Sequence, residues 1–348
     1  MTPDFLDNFP IRAGDQRIWS NLQGSGQAWA LAQAAGKHQG LILVITRDTQ
    51  SAQQLELELP FYAGEDLQIL SFPDWETLPY DSFSPHQDII SQRLATLYRL
   101  PQMGQGVLVV PVSTLMHRLA PPEFLSGQTL LLDVGQTFDL NRVRLQLDQA
   151  GYRAVDTVLD HGEYAIRGAI MDLFPMGSTV PYRIELFDDE IDTLRSFDPE
   201  TQRSIQQVQQ VRLLPGKEFP LHEAALQAFK QRFKARFDVD PRSCTLYQDI
   251  AAGIASAGIE YYLPLFSEQT ATLFDYLPDN VLIVTPQSLT DSASHFRTDC
   301  DNRYEELRYD LQRPILPPEQ LFLGVEELNQ ALKQWPRIQF RGTPGADK

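Results

Sequence analysis

A glycine-rich segment near the start of the chain is the first candidate for chemistry. Residues 22–26 read Leu-Gln-Gly-Ser-Gly and precede an alanine-rich stretch, and a glycine loop that enters a helix can hold phosphates through its backbone N–H groups. A P-loop also needs a lysine for the phosphates and a hydroxyl for Mg²⁺. The loop at Gly24 and Gly26 provides neither in that arrangement, and the Gly36-Lys37 pair closes the helix that such a lysine should open. We therefore predict no nucleotide hydrolysis here and interpret the segment as the turn before a helix.

An acidic run in the middle of the chain is a second candidate. Residues 184–190 read Ile-Glu-Leu-Phe-Asp-Asp-Glu, which superficially resembles the hydrophobic strand and acidic pair that hold Mg²⁺ in helicase-type ATPases. Such a strand is buried on both faces, whereas Arg183 and Glu185 give this one a polar face. The alternation favours an acidic turn between two strands, and we predict no metal site.

Cysteine and histidine offer neither a nucleophile nor a ligand set. Cys244 and Cys300 have no histidine at ligand spacing, and the six histidines are scattered along the chain. No Gly-x-Ser-x-Gly elbow and no cysteine with a companion base stands out. We expect no catalytic residue and no cofactor, and an unrecognised hydrolase-like site assembled in space stays open as an alternative.

The strongest candidate combines arginine with an exposed aromatic residue. The segment that ends at Phe187 alternates with period two, which puts Arg183 and Phe187 on one polar face. If a hairpin folds around residues 177–178, residue 187 lies opposite about 168. That register brings Arg167 within a residue of Phe187. Arginine beside an exposed aromatic side chain is typical of hot spots in protein interfaces.

A structural interpretation of the same residues stays open. A neighbouring domain would then cover Phe187, and the two arginines would pair with Glu185, Asp188 or Glu190. The pattern alone does not separate this interpretation from an interface.

The elements around these candidates change in style along the chain. In residues 1–125, apolar strands such as 40–46 alternate with helices, which predicts a parallel sheet of the α/β type. Residues 126–212 indicate an inserted α+β domain with an antiparallel meander. The α/β pattern resumes in residues 213–335, with an apolar strand at 280–285.

Three local predictions complete this description. We interpret residues 16–21 as a polar loop and residues 165–174 as one strand of the meander. Residues 336–348 are predicted to be a linker or tail, because the chain ends in Gly, Pro and polar residues.

Composition limits the function classes. The chain has 348 residues with 29 Lys and Arg against 46 Asp and Glu, which gives a net charge of −17. So acidic a chain is unsuited to wholesale wrapping of nucleic acid. Its longest apolar run is far shorter than the roughly 20 residues of a membrane span, and its acidic start is unlike a signal peptide. We expect a cytoplasmic protein with two or three cores.

Several motifs make the sequence resemble a known family, the bacterial transcription-repair coupling factors. The motifs are Asp74-Trp75-Glu76-Thr77-Leu78-Pro79-Tyr80-Asp81 with Ser84-Pro85, His161-Gly162-Glu163-Tyr164-Ala165-Ile166-Arg167-Gly168 with Asp172-Leu173-Phe174-Pro175, Pro181-Tyr182-Arg183, Phe187-Asp188-Asp189-Glu190-Ile191-Asp192, Gly258-Ile259-Glu260-Tyr261 and Leu273-Phe274-Asp275-Tyr276-Leu277-Pro278. The resemblance runs from about residue 10 to 340 and covers only the N-terminal third of such proteins. That third is similar to the excision-repair subunit UvrB.

The resemblance implies a helicase-like fold, related to P-loop NTPases, that has lost its catalysis. The three segments, 1–125, 126–212 and 213–335, resemble UvrB domains 1a, 2 and 1b. Gly24 and Gly26 occupy the place of the P-loop without its lysine, and Thr285-Pro286 stands where an acidic pair would hold Mg²⁺. The segment between Asp81 and Val107 is also too short for the long DNA-clamping hairpin of UvrB.

The resemblance also implies partners. In both families the middle domain is the docking surface for UvrA, and Arg167, Arg183 and Phe187 match the docking residues. The expected function is a non-catalytic module that recruits UvrA to lesion-stalled RNA polymerase, while the rest of such a protein is an ATP-driven DNA translocase. A further hypothesis is that the module folds back over this motor and masks its docking face. The competing hypotheses are an active UvrB-like ATP-dependent DNA helicase domain and a plain interdomain scaffold.

Overall fold

The structure, a computed structural model, describes residue 6 and residues 9–64 and 67–342. Its helices within these residues are α1 (Gly26–Lys37), α2 (Thr49–Tyr62), α3 (Gln87–Arg99), α4 (Val112–Leu115), α5 (Pro122–Gln128), α6 (Leu140–Gln149), α7 (Glu223–Arg236), α8 (Thr245–Ala251), α9 (Leu263–Phe266), α10 (Leu289–Leu307), α11 (Pro318–Leu321) and α12 (Val325–Leu332). Its strands are β1 (Gln16–Ser20), β2 (Leu41–Thr46), β3 (Ile69–Ser71), β4 (Gly106–Pro111), β5 (Leu130–Asp133), β6 (Arg153–Ala154), β7 (Glu163–Arg167), β8 (Ile170–Leu173), β9 (Tyr182–Phe187), β10 (Glu190–Phe197), β11 (Ser204–Val208), β12 (Gln210–Leu213), β13 (Val281–Pro286) and β14 (Arg337–Arg341).

A six-stranded parallel sheet confirms the predicted α/β class. Its order is β1-β14-β13-β2-β4-β3, so strands from both ends of the chain form one sheet. The strands β2 and β4 are buried along their whole length, which explains their continuous apolar sequence. One face of the sheet packs against a cluster that contains α1 and α2 residues, and the other face joins the main core.

Two local predictions at the edge of this sheet were wrong. The predicted loop at 16–21 contains β1, an edge strand in which only Trp19 is buried, so its sequence lacks an apolar run. The predicted tail 336–348 begins too early, because β14 pairs with β1 and β13. Trp19 packs on Phe340 with ring centroids 6.0 Å apart. Residues 343–348 of the predicted tail lie outside the described residues.

A second six-stranded sheet forms the middle of the chain, in the order β11-β10-β9-β8-β7-β6. The predicted antiparallel meander is confirmed for β7 to β11, and the parallel strand β6 completes the edge. The predicted single strand 165–174 was wrong, because the chain reverses at Gly168, whose φ is +62°. This left-handed conformation favours glycine and permits the tight turn between β7 and β8.

A small antiparallel pair marks the entrance and exit of this middle segment. The strands β5 and β12 pair from Leu130 with Leu213 to Asp133 with Gln210. The chain therefore enters and leaves the meander side by side.

Several of the motifs that carry the family resemblance meet in the core. Trp75 Nε1 donates to Glu218 Oε2 over 2.8 Å, and Ser84 Oγ donates to Glu260 Oε2 over 2.9 Å. The Tyr261 ring stacks edge-on against Trp75 with centroids 5.6 Å apart. These motif residues connect the first and last α/β segments and are structural. Among the described residues, no helix is both long and apolar enough to cross a bilayer.

Candidate protein interface

The second sheet has one buried face and one polar face. On β9, Ile184 is fully buried in the main core, and its neighbours Tyr182 and Leu186 pack against that core. Arg183, Glu185 and Phe187 therefore point to the opposite side. We define the outer face as the side of the sheet that carries Ala165, Arg167, Ile170, Asp172, Arg183, Glu185 and Phe187.

The register across β8 and β9 agrees with the sequence prediction. Ile170 pairs with Glu185, and the Leu186 N–H donates to the Ala169 carbonyl over 2.9 Å. Continuing this register places residue 187 opposite 168, as the hairpin around residues 177–178 predicts. The reversal at Gly168 does not disturb the register, since it precedes the paired part of β8.

Phe187 lies at the open end of the outer face. Its side chain is 74% exposed, and it pairs with Glu190 across a two-residue turn. Asp188 in that turn has a φ of +54°, a conformation that Asp tolerates better than most residues. None of the residues that the structure describes buries Phe187. The interpretation in which a neighbouring domain covers this side chain is therefore not supported by the described residues.

Arg167 and Arg183 meet at Asp172. Asp172 is fully buried and stands directly opposite Arg183 in the ladder. Arg183 Nε donates to Asp172 Oδ1 over 2.7 Å and its Nη2 to Oδ2 over 2.9 Å. Arg167 Nη2 donates to the same Oδ2 atom. The alternative interpretation, in which Glu185, Asp188 or Glu190 accepts these bonds, does not hold, because the accepting carboxylate comes from β8.

The two arginines differ in exposure. The Arg167 side chain is 53% exposed, whereas that of Arg183 is 17% exposed. The hydrogen bonds to Asp172 raise the pKa of Arg183 and outweigh the opposing effect of its burial. The charged Arg183 side chain is therefore mostly buried against the sheet, whereas the charged Arg167 side chain lies on the surface of the outer face.

A small apolar cluster closes the other end of the outer face. Its buried members are Val158, Ala165, Phe174 and Phe197. The Arg183 guanidinium carbon lies 5.0 Å from the centre of the Phe197 ring, so this arginine also contacts the cluster. The open part of the outer face runs from Arg167 to Phe187.

Sequence reasoning did not assign Asp172 to the site. The signal was present, because the register that pairs residue 187 with 168 also pairs residue 183 with 172. A buried acid facing an arginine could have been inferred from that arithmetic.

The residues of the predicted degenerate nucleotide site lie at or beyond the carboxyl ends of two strands of the parallel sheet. Gly24 has a φ of +52°, and α1 begins at Gly26 after a loop that follows β1. Thr285 is buried near the carboxyl end of β13, where its hydroxyl donates to the Ile338 carbonyl over 3.5 Å. The strand β14 lies between β1 and β13. The loop that carries the two glycines and the strand that carries Thr285 are therefore on the same side of the sheet ends but are separated by one strand. In the part of the chain that the structure describes, no three His, Cys, Asp or Glu side chains form a metal cluster.

Comparison of the sequence with known proteins identifies its relatives. Residues 130–219 match the family described as UvrB interaction domain. The chain is 47% identical to the transcription-repair-coupling factor of Escherichia coli over 98% of its length, and 44% identical to that of Haemophilus influenzae, also over 98%. Nearly the whole chain is therefore similar to part of the transcription-repair coupling factors, which confirms the resemblance seen in the sequence.

The similarity covers only part of the length of these relatives. The chain spans about 30% of the length of the Escherichia coli and Haemophilus influenzae transcription-repair coupling factors. A more distant member, from Myxococcus xanthus, is 28% identical over 95% of the chain. All the residues of the outer face lie inside the range 130–219 that matches the UvrB interaction domain.

Proposed function

We propose that this chain is the UvrA-docking module of a transcription-repair coupling factor and that it recruits UvrA to lesion-stalled RNA polymerase. The observation that carries the proposal is the exposed pair Arg167 and Phe187 on the outer face, within the segment that matches the UvrB interaction domain. The coarser conclusion, a UvrA-interacting region of this family, follows from the family matches.

The chemistry of the outer face fits a protein partner. A partner pocket that covers Phe187 would remove a large apolar surface from water, which stabilises a complex. A partner carboxylate beside Arg167 would form charge-assisted hydrogen bonds. Arg183 lies on the same face, opposite Asp172 and farther from Phe187 along the ladder than Arg167. We propose that these three residues make or hold the contact with UvrA.

We further propose that the chain divides into a discontinuous helicase-like domain, residues 1–125 and 213–335, and an inserted docking domain, residues 126–212. The shared parallel sheet and the β5–β12 pair support this division.

We propose that the helicase-like domain is not catalytic. The loop at Gly24 and Gly26 has no lysine to bind phosphates, and β13 ends in Thr285-Pro286 without a carboxylate for Mg²⁺. The competing hypothesis, an active UvrB-like ATP-dependent DNA helicase domain, predicts micromolar ATP affinity. Calorimetric titration of the chain with Mg²⁺-ATP separates the two, and micromolar binding would refute our proposal.

Other properties of the whole protein are proposals by family membership. The remainder would be an ATP-dependent DNA translocase that contacts RNA polymerase and DNA, and the protein would act in the cytoplasm. We also propose that this module masks its docking face against the translocase part. Deleting the module from the full-length protein should then change both UvrA affinity and ATPase rate; unchanged values would refute the masking.

A binding measurement with matched variants tests the docking function. Purified UvrA is immobilised, and the parent chain is compared with a variant that carries Arg167→Ala, Arg183→Ala and Phe187→Ala. The control variant carries Phe83→Ala and Arg242→Ala, because Phe83 is 70% exposed and the Arg242 side chain 90% exposed, both outside the second sheet. We expect UvrA to bind the parent and the control variant and not to bind the triple variant. Binding of the triple variant at parental affinity would move the interface elsewhere, provided that circular dichroism shows equal folding.

A further inference from the structure

The three interface candidates have different surroundings. Arg183 is held at three nitrogens: Nε and Nη2 bond to Asp172, and Nη1 donates to the Gln202 carbonyl over 3.3 Å. Its guanidinium also lies against the Phe197 ring. Arg167 has one such contact, from Nη2 to Asp172. Among the described residues, no hydrogen bond is found for Nε or Nη1 of Arg167, and the side chain is 53% exposed.

The burial of Asp172 limits what it can do. A carboxylate that is completely removed from solvent cannot itself reach a partner protein. Removing it from water is costly unless cations and hydrogen bonds compensate. Here two guanidinium groups share one carboxylate, and its negative charge also reduces the repulsion between those two cations.

We propose that Asp172 is a positioning residue for the docking surface: together with Arg183 it holds the Arg167 guanidinium in the orientation that meets a carboxylate of UvrA. Arg167 and Phe187 make the contact, and Arg183 is part of the frame behind Arg167. This inference rests on the proposed docking to UvrA.

The physical advantage is preorganisation. A free arginine side chain loses rotamer entropy when a partner immobilises it, and this loss weakens binding. The bond between Arg167 Nη2 and Asp172 restricts the side chain before the partner arrives, while Nε and Nη1 stay available. Phe187 has no bond to this frame and should act independently of Asp172.

Double-mutant cycles test the proposal, with affinity for immobilised UvrA as the measured quantity. The frame is removed by Asp172→Asn, which keeps the shape of the side chain, or separately by Arg183→Gln. Each change is made in the parent, in an Arg167→Ala background and in a Phe187→Ala background. We expect each frame variant to weaken binding about tenfold in the parent and in the Phe187→Ala background, and less than about twofold in the Arg167→Ala background.

The background dependence distinguishes positioning from a general structural effect, which would weaken binding equally in all three backgrounds. A tenfold loss that persists in the Arg167→Ala background would overturn the proposal, and so would parental affinity of Asp172→Asn. If Asp172→Asn does not fold, the Arg183→Gln cycle decides by the same criterion. Failure of the parent chain to bind UvrA would overturn the docking function itself, and this inference with it.

Discussion

The buried guanidinium of Arg93 donates from Nε to Glu218 Oε1 over 2.8 Å, joining α3 of the first segment to the chain that leaves the second sheet. The Arg93 side chain is fully buried, and Glu218 is 9% exposed. Arg93 Nη1 donates to the Pro73 carbonyl over 2.8 Å, and the guanidinium lies 4.1 Å from the centre of the Phe72 ring. This ion pair connects parts of the chain that are 125 residues apart.

Removing one member of this ion pair should strongly destabilise the fold. In Glu218→Ala the Arg93 charge stays buried without its partner, which typically costs about 3–5 kcal/mol. Trp75 also loses its acceptor. Chemical denaturation should therefore show a free energy of unfolding lower by that amount.

The control for this prediction is a surface pair on α10. Glu305 accepts from Arg308 Nη1 over 2.8 Å, and both side chains are well exposed. Glu305→Ala should change the free energy of unfolding by less than about 1 kcal/mol. Equal effects of Glu218→Ala and Glu305→Ala would contradict the importance of the buried pair.

Strands that are buried on both faces of the sheet were predictable from the sequence. Continuous apolar runs predicted β2 and β13, because a parallel sheet covered on both sides excludes polar residues. The strands β1 and β14 were missed because they are short and alternate, and β1 lies at the edge. Their pairing depends on contacts between the two ends of the chain, which no local pattern contains.

The candidate interface was predictable in part. Period two placed Arg183 and Phe187 on one face, and hairpin arithmetic gave the correct register. The role of Asp172 was missed because Asp188 and Glu190 are equally acidic and are nearer to Arg183 in sequence. Burial decides between such partners: Asp172 lies beneath the arginines, whereas the turn residues are exposed.

Gly258 should not tolerate alanine. Its φ is +75°, and an added Cβ would overlap Arg313 Nη2 and lie 2.6 Å from the Asp81 carbonyl oxygen. Backbone strain and steric overlap together should lower the free energy of unfolding by about 2 kcal/mol or more. Gly36→Ala is the matched control, because Gly36 lies in α1 with open space around it. It should stabilise the protein by about 0.5–1 kcal/mol. Thermal melts of both variants check the pair, and a Gly258→Ala melt at the parental temperature would contradict the steric argument.

Phe187 and Phe197 should separate binding from stability. Phe187 is 74% exposed and Phe197 is fully buried. We expect Phe187→Ala to change the free energy of unfolding by no more than about 0.5 kcal/mol and to weaken UvrA binding by about 2 kcal/mol, roughly 30-fold. Phe197→Ala should instead cost about 3–5 kcal/mol of stability. Denaturation and UvrA titration of both variants check this, and a destabilised Phe187→Ala protein would place Phe187 in the core.

Glu260 should give stability a specific pH dependence. Burial raises its pKa from 4.5 to about 6, although the Ser84 hydroxyl and the Lys217 ammonium favour the charged form and Glu218 opposes it. Between pH 4.5 and 6 the folded protein therefore holds a proton that the unfolded chain has released. The free energy of unfolding should fall by about 2 kcal/mol as the pH rises through this range, and then level off.

His117 acts in the opposite direction and must be separated from Glu260. Burial lowers the pKa of His117 to about 3, so its contribution to stability increases as the pH rises toward the ordinary histidine value. The difference in free energy of unfolding between Glu260→Gln and the parent cancels this contribution, since both proteins keep His117. Urea denaturation between pH 4 and 7 should show the variant gaining about 2 kcal/mol relative to the parent. A difference that stays constant over this range would mean that Glu260 has the same pKa in the folded protein as in the unfolded chain, against the effect expected from its burial.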